Sequence, residues 1–263
     1  MLGLGLSIPQ VAVRGGGVDP IAELFARLGG TGTWVDPLAG QTVFSDTAGT
    51  TQAVPGGMVA RIDAAGGVQA SFQNAVEAQQ PLLRADGLEF DGVDDRLVYP
   101  DDPALRFGTT SFTVAGACSP ADLDPGNNFM FDKRGTGASN PTRRGWGVER
   151  NGKSLRLFID DGNSLVVGTV GANVFTLNTW LTWLIDIDRA ANTATARING
   201  VAQTPVAIPT GDISGAKGLH IGSSADAASF GFAGRIGRLL VLDKLLSDAD
   251  KTTAEAWLQG GFA

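Results

Sequence analysis

Asp91, Asp94 and Asp95 place three carboxylates within five residues, with Glu89 two positions earlier. Carboxylates this close can do two kinds of chemistry. They can hold a hard cation, which needs several oxygens on a flexible loop, and calcium is the candidate cofactor. Two of them on one strand face can also act on a glycosidic bond as nucleophile and acid/base, with carboxyls about 5–5.5 Å apart. A plainer role competes with both. Gly92 interrupts the strand, Phe90 falls on a core position, and Asp91, Asp94 and Asp95 cap a tight turn.

Sugar recognition needs an exposed aromatic ring against the pyranose, surrounded by hydrogen-bonding side chains. The candidates are Trp146, Tyr99, Asn140, Arg143 and Arg144, the last three in the polar loop 135–144. Trp180 and Trp183 are three apart on a strand, so one faces the core and the other faces out. Trp34 and Trp257 read as packing residues. The pair Arg143-Arg144, with Arg134 and Arg150 nearby, reads as a solvated corner rather than a phosphate site.

The chain has one cysteine and one histidine, too few for an internal disulfide or a Cys/His zinc site. Cys118 shares a face with Phe112 and Val114 and reads as a buried, inert thiol. His220 alternates against Leu219 and Ile221, as a surface strand histidine would. No Gly-x-Ser-x-Gly elbow accompanies it.

These residues sit in a chain of 263 with 43% apolar content, 37 glycines and a net charge of −7. Glycine is about double the usual ~7%, which signals turns rather than long helices. The negative charge argues against nucleic acid and anionic membranes as partners. No apolar run approaches the ~18 residues of a membrane span. The N-terminus lacks the basic start and unbroken apolar core of a signal peptide, so synthesis in the cytoplasm is expected. Leu2, Leu4, Leu6, Ile8, Val11 and Val13 form an apolar arm that must bury itself against this chain or a neighbour.

Asp19 caps a short helix with Pro20 at its first position and Ile21, Leu24, Phe25 and Leu28 on one face. Residues 31–81 read as a connector with short strands, so residues 1–30 form an arm and helix for docking. From residue 82 to 263, β runs recur every 8–14 residues. Asn151-Gly152, Asp161-Gly162 and Asn199-Gly200 read as two-residue hairpin turns. Ser247 and Asp250 open a closing helix with Ala254, Trp257 and Leu258 on its apolar face. The pattern specifies a mainly β chain, an antiparallel β-sandwich of roughly a dozen strands.

Two segments carry a family resemblance: Leu88-Glu-Phe-Asp-Gly-Val-Asp-Asp-Arg-Leu-Val98, and Phe232-Ala-Gly-Arg-Ile-Gly-Arg-Leu-Leu-Val-Leu-Asp-Lys-Leu-Leu-Ser247. They resemble the opening and closing strands of laminin-G-like, concanavalin A-like jelly rolls, and the match spans about residues 82–260. Glu89-Phe-Asp91-Gly-Val-Asp94 is superficially similar to the E-x-D-x-x-E strand of retaining β-glucanases of the same broad fold, but ends in the shorter Asp94. Upstream, Gly32-Thr-Trp-Val-Asp-Pro37, Thr42-Val-Phe-Ser-Asp46 and Ala48-Gly-Thr-Thr51 resemble a segment found ahead of such domains in bacteriophage and prophage proteins. Leu38 and Gln52 stand where that pattern has Ser and Pro.

The resemblances imply a non-enzymatic virion protein, a head spike, fibre or tail component. Its jelly roll would touch host cell-surface polysaccharide while its arm meets other virion proteins, as a homo-oligomer. A purely architectural role and a polysaccharide-degrading enzyme are the alternatives.

Overall fold

The structure, a computed structural model, describes residues 19–69, 71–135, 143–225 and 230–262. The apolar arm and Asn140 lie outside these residues.

Helix α1 (Pro20–Leu28) starts where Asp19 accepts a hydrogen bond from the Ile21 N–H and stops where Gly29 turns left-handed, as the sequence indicates. The first strands are β1 (Gly32–Val35), β2 (Val43–Phe44), β3 (Arg61–Asp63), β4 (Ala65–Gly66), β5 (Ser71–Gln73), β6 (Leu82–Arg84), β7 (Gly87–Asp91) and β8 (Leu97–Tyr99). Longer ones follow: β9 (Phe112–Pro120), β10 (Asn128–Asp132), β11 (Gly145–Asn151), β12 (Ser154–Asp160), β13 (Leu165–Gly171) and β14 (Leu181–Asp188). Then come β15 (Thr193–Ile198), β16 (Val201–Ala202), β17 (Val206–Ala207), β18 (Leu219–Ile221), β19 (Ala233–Leu242) and α2 (Asp248–Gln259), capped by Ser247.

The 19 strands of the described residues exceed the expected dozen because residues 31–81 contribute short strands to both layers. One sheet runs β16-β15-β14-β9-β19-β1-β4, with β7 also paired to β19, β6 to β7 and β17 to β15. The other runs β13-β12-β11-β10-β18-β8-β5-β3-β2. All these pairings are antiparallel. The connector strands thus lie in the sandwich itself, with β1 against β19 and β5 against β8.

Residues of both inner faces, among them Phe90, Phe112, Phe131, Trp146, Trp183 and Val241, form the main core. A second core lies outside the first sheet. There α1 and α2 cover Trp34, Ala115, Leu184, Leu240 and Leu242 with Ile21, Leu24, Phe25, Ala254, Trp257 and Leu258. Strand β9, between the two cores, is buried along its whole length, which explains its nearly continuous small and apolar residues. At Gly116 a Cβ would come within 2.5 Å of Leu239 and 2.6 Å of Trp183, so only glycine fits beneath that indole.

The hairpins follow the sequence unevenly. Ile198 pairs with Val201, and Asn199 and Gly200 both take positive φ (48° and 82°), as a type I′ turn requires. Asn151, however, pairs with Ser154, so Gly152-Lys153 forms that loop and Asn151 belongs to the strand. Asp160 pairs with Leu165, making the third loop four residues long. Its Asp161 carboxylate accepts from the Asn163 and Ser164 N–H groups, which closes a wider turn.

Candidate functional site

The acidic loop begins where β7 ends. Gly92 turns the chain with φ +79°. Asp91 Oδ1 accepts from the N–H groups of Val93 (2.8 Å), Asp94 (3.3 Å) and Asp95 (3.5 Å). The Asp91 N–H donates in return to Asp95 Oδ2 at 2.9 Å. The Asp94 carboxylate does not join this clasp; its Oδ2 accepts from Gln79 Nε2 at 3.1 Å. Phe90 is buried in the core, as its alternation indicates. One oxygen from each of Asp91, Asp94 and Asp95 lies within 4.8 Å of the others. Burial pushes the Asp95 carboxyl up to about 6, aided by the charges of Asp91, Asp94 and Glu89 and opposed by the Asp91 N–H. Each of the three keeps one carboxylate oxygen outside these bonds, a donor set that suits a hard divalent cation.

The same geometry bears on the glycosidase pattern. Glu89 and Asp91 share a face of β7, but the strand stops at Asp91, so Asp94 is not on it. Glu89 is in an ion pair with Arg84.

The sugar-recognition candidates are not gathered on one open surface. Trp146 is 2% exposed, which corrects its assignment to a binding surface. Its indole packs among Phe107, Phe112 and Phe131 in the main core. Alternation along β11 allowed either face to be the inner one, and pairing with β10 and β12 decides it. Tyr99 is half-buried, its ring 5.7 Å from that of Phe72 and its hydroxyl donating to Asp102 Oδ2 at 2.8 Å. Burial, then the Asp102 contact, pushes the phenol up to about 12.

The arginine cluster is not a solvated corner. Arg143 reaches Asp160 at 2.9 Å, Arg144 reaches Asp212 at 2.6 Å, Arg134 reaches Asp132 at 3.0 Å, and the fully buried Arg150 meets Asp122. Each guanidinium is held by a different carboxylate, so the four do not converge on one anion. Tyr99 and Arg144 flank one segment: Gly215 packs on the Arg144 carbonyl and Gly218 on that of Tyr99.

The outer face of the second sheet carries groups the sequence reading passed over. Phe129 and Phe158 are buried there beneath the Arg134 guanidinium, which lies 4.4 Å from each ring. Beside them Glu149 is fully buried, with Arg156 Nε 2.9 Å from its Oε1. Burial dominates and pushes the Glu149 carboxyl up to about 8, against the pull of Arg156 and Arg134. Burial likewise raises Asp132 on the neighbouring strand, although Arg134, Ser224 and the Ala225 N–H all contact it. The usable signal was the alternation Trp146-Gly-Val-Glu149, which puts Glu149 opposite the core face.

His220 belongs to this face. It is half-buried rather than a surface residue, and burial, then Arg96, Lys217 and Lys133, lowers it to about 4. Cys118 is buried in the main core as expected, and burial pushes its thiol up to about 12.

A sequence profile described as the concanavalin A-like lectin/glucanases superfamily, of laminin G type, matches residues 91–250. The chain belongs to this superfamily.

The jelly-roll likeness extends to solved structures at low identity. The binding domain of botulinum neurotoxin serotype D matches with TM-score 0.52 at 11% identity, over 84% of this chain and 51% of that one. Trypanosoma rangeli sialidase in complex with 2,3-difluorosialic acid matches with TM-score 0.54 at 13% identity, over 88% of this chain and 33% of that one. The receptor binding domain of botulinum neurotoxin mosaic serotype C/D gives 0.53 at 11%, over 74% and 48%. The chain thus spans about half or less of the length of these structures. A search of curated proteins returns no match. In this concanavalin A-like chain the matched region opens at Asp91, so the acidic loop lies at its very start and β1–β6 precede it. Among the described residues no helix is long and apolar enough to cross a membrane.

Proposed function

We propose that this chain is a non-enzymatic carbohydrate-binding component of a bacteriophage or phage-derived particle, presenting its sandwich to host surface polysaccharide. The observation that carries binding over catalysis is the engagement of the carboxylates on and after β7. Asp91 and Asp95 clasp the loop backbone, and Glu89 is in an ion pair with Arg84. The particle setting draws on the resemblance of residues 32–51 to phage proteins. In that setting the partners are other virion proteins, the host polysaccharide and further copies of the chain, and calcium is the candidate ion at Asp91, Asp94 and Asp95. Isothermal titration with host polysaccharide, in calcium and then in EDTA, tests the reading. Saturable heat is expected; no heat from folded, assembled protein overturns it and favours a purely architectural role.

A second reading, as a polysaccharide-degrading enzyme, draws on Glu149 alone. Its raised pKa suits a general acid. It is fully buried, however, so a substrate would first have to open the face beneath Arg134. Release of reducing sugar that disappears in Glu149→Gln would support this reading over the first.

A further inference from the structure

The helices α1 and α2 cover only part of the outer face of the first sheet. Beyond the end of α2 the sheet lies open, and there β7, β19 and β9 form the floor of a pocket of about 490 Å³. Glu89 pairs across the strands with Arg235, and Arg235 with Ser119, so the three side chains form one row. Arg84, Asp86 and Asn178 stand around that row. The volume falls in the ~300–1,000 Å³ range of small-molecule sites.

Ser119, a residue of the pocket floor, is 2% exposed, and its Oγ is buried with no hydrogen-bond partner. A buried hydroxyl left unpaired is destabilising, a cost that a ligand hydrogen-bonding to it would offset. The walls are held in place but not saturated. Asp86 Oδ2 takes both Trp180 Nε1 (3.2 Å) and the Arg235 guanidinium, leaving Oδ1 for another donor. Glu89 uses Oε2 for Arg84 and keeps Oε1. Arg84 bonds through Nε and retains both terminal amino groups.

Charge selects the ligand. Two arginines and two carboxylates sum to zero, so neither an anion nor a cation is favoured overall. An apolar ligand would leave Ser119 unmatched and strip water from four charged groups. Hydroxyl groups, each both donor and acceptor, can satisfy carboxylates, guanidinium groups and the serine at once. We propose that this pocket is a binding site for a neutral sugar residue. The proposal rests on the carbohydrate-binding reading and gives it a location other than the acidic loop that follows β7 and the arginines of residues 143–144.

The test follows the Trp180 indole N–H by heteronuclear NMR, since that group donates to the pocket wall. The probes are methyl α-D-glucoside, methyl α-D-galactoside and methyl α-D-mannoside, with N-acetylneuraminic acid as the charged comparison. At least one neutral glycoside should shift the Trp180 signal saturably, and more strongly than the anion does. Ser119→Ala and Asn178→Gly should each weaken that binding five-fold or more. Asn178 has φ +52°, so glycine removes its amide without straining the backbone. No Trp180 shift with any neutral glycoside, or shifts indifferent to both substitutions, overturns the proposal. Host polysaccharide titrated into the same samples separates the two readings. Binding without a Trp180 response overturns the pocket alone, whereas no binding in any form overturns the carbohydrate reading with it.

Discussion

The indole of Trp180 lies flat on the ring of Phe262, with centroids 4.5 Å apart and planes 5° from parallel. Residues 180 and 262 come from the lead-in to β14 and from the tail beyond α2, so this one stack ties the end of the second core to the open part of the sheet. It also fixes the indole whose N–H holds Asp86.

Loss of that stack should be measurable. Aromatic pairs contribute about 0.5–1.5 kcal/mol beyond their buried area. Phe262→Ala is therefore expected to lower stability by about 1–2 kcal/mol in urea denaturation, and Phe262→Tyr by less than about 0.5 kcal/mol. A Phe262→Ala protein as stable as the parent would mean that the tail does not brace the sheet.

Trp146 offers a sharper contrast, because a surface ligand and a core residue respond oppositely to substitution. Packed among three phenylalanines, Trp146→Ala should cost about 3–5 kcal/mol. Trp146→Phe should keep the fold and leave polysaccharide affinity unchanged in calorimetry. Selective loss of affinity in a stably folded Trp146→Phe protein would return this residue to the binding surface.

Trp146 also shows where sequence legibility ends. Local chemistry is readable when one or two residues decide the outcome. Asn199-Gly200 can adopt the positive φ its turn needs, Asp19 and Gly29 bound a helix between them, and the three-residue spacing of Trp180 and Trp183 puts them on opposite faces. The alternation around Trp146 and Glu149 is equally regular, but which face is inner depends on strands β10 and β12, and long-range pairing is not written in a single strand. The same limit hid the row Glu89–Arg235–Ser119, whose members are up to 146 positions apart and meet only because β7 and β9 both flank β19. Arg143 and Arg144 looked solvated because their partners, Asp160 and Asp212, lie far along the chain.

The buried carboxyl of Glu149 makes stability depend on pH. With its pKa raised from 4.5 to about 8, the folded protein binds the extra proton, so stability falls as pH rises through that interval, by up to about 1.4 kcal/mol per unit. His220 works in the opposite sense. Lowered from 6.5 to about 4, it stays neutral in the fold, and its contribution is lost on acidification through that range. Asp95, raised to about 6, acts like Glu149 but only below that pH. Between pH 6.5 and 8 the Glu149 contribution is therefore free of both. Chemical denaturation should show falling stability across this window, flattened in Glu149→Gln. Parallel slopes in the two proteins would show that Glu149 is ionised in the fold.

Calcium can be tested at Asp94 without disturbing the loop, because Asp94 is the one member of the trio whose carboxylate does not clasp the backbone. An ion that binds only the folded state stabilises it by about 2.7 kcal/mol at a hundred-fold excess over its dissociation constant. Calcium should thus raise the melting temperature of the parent protein, and EDTA should reverse the gain. Magnesium should do less, since it prefers a tight octahedral shell and sheds water reluctantly. Asp94→Asn should match the parent in EDTA to within about 0.5 kcal/mol, as surface substitutions do, yet show no calcium response. Asp91→Ala, by contrast, should be destabilised even in EDTA, because Asp91 Oδ1 gathers three N–H groups at the end of β7. A parent melting temperature indifferent to calcium would leave the three aspartates as turn carboxylates, with Asp95 raised to about 6 by burial and its acidic neighbours and no cation there to lower it.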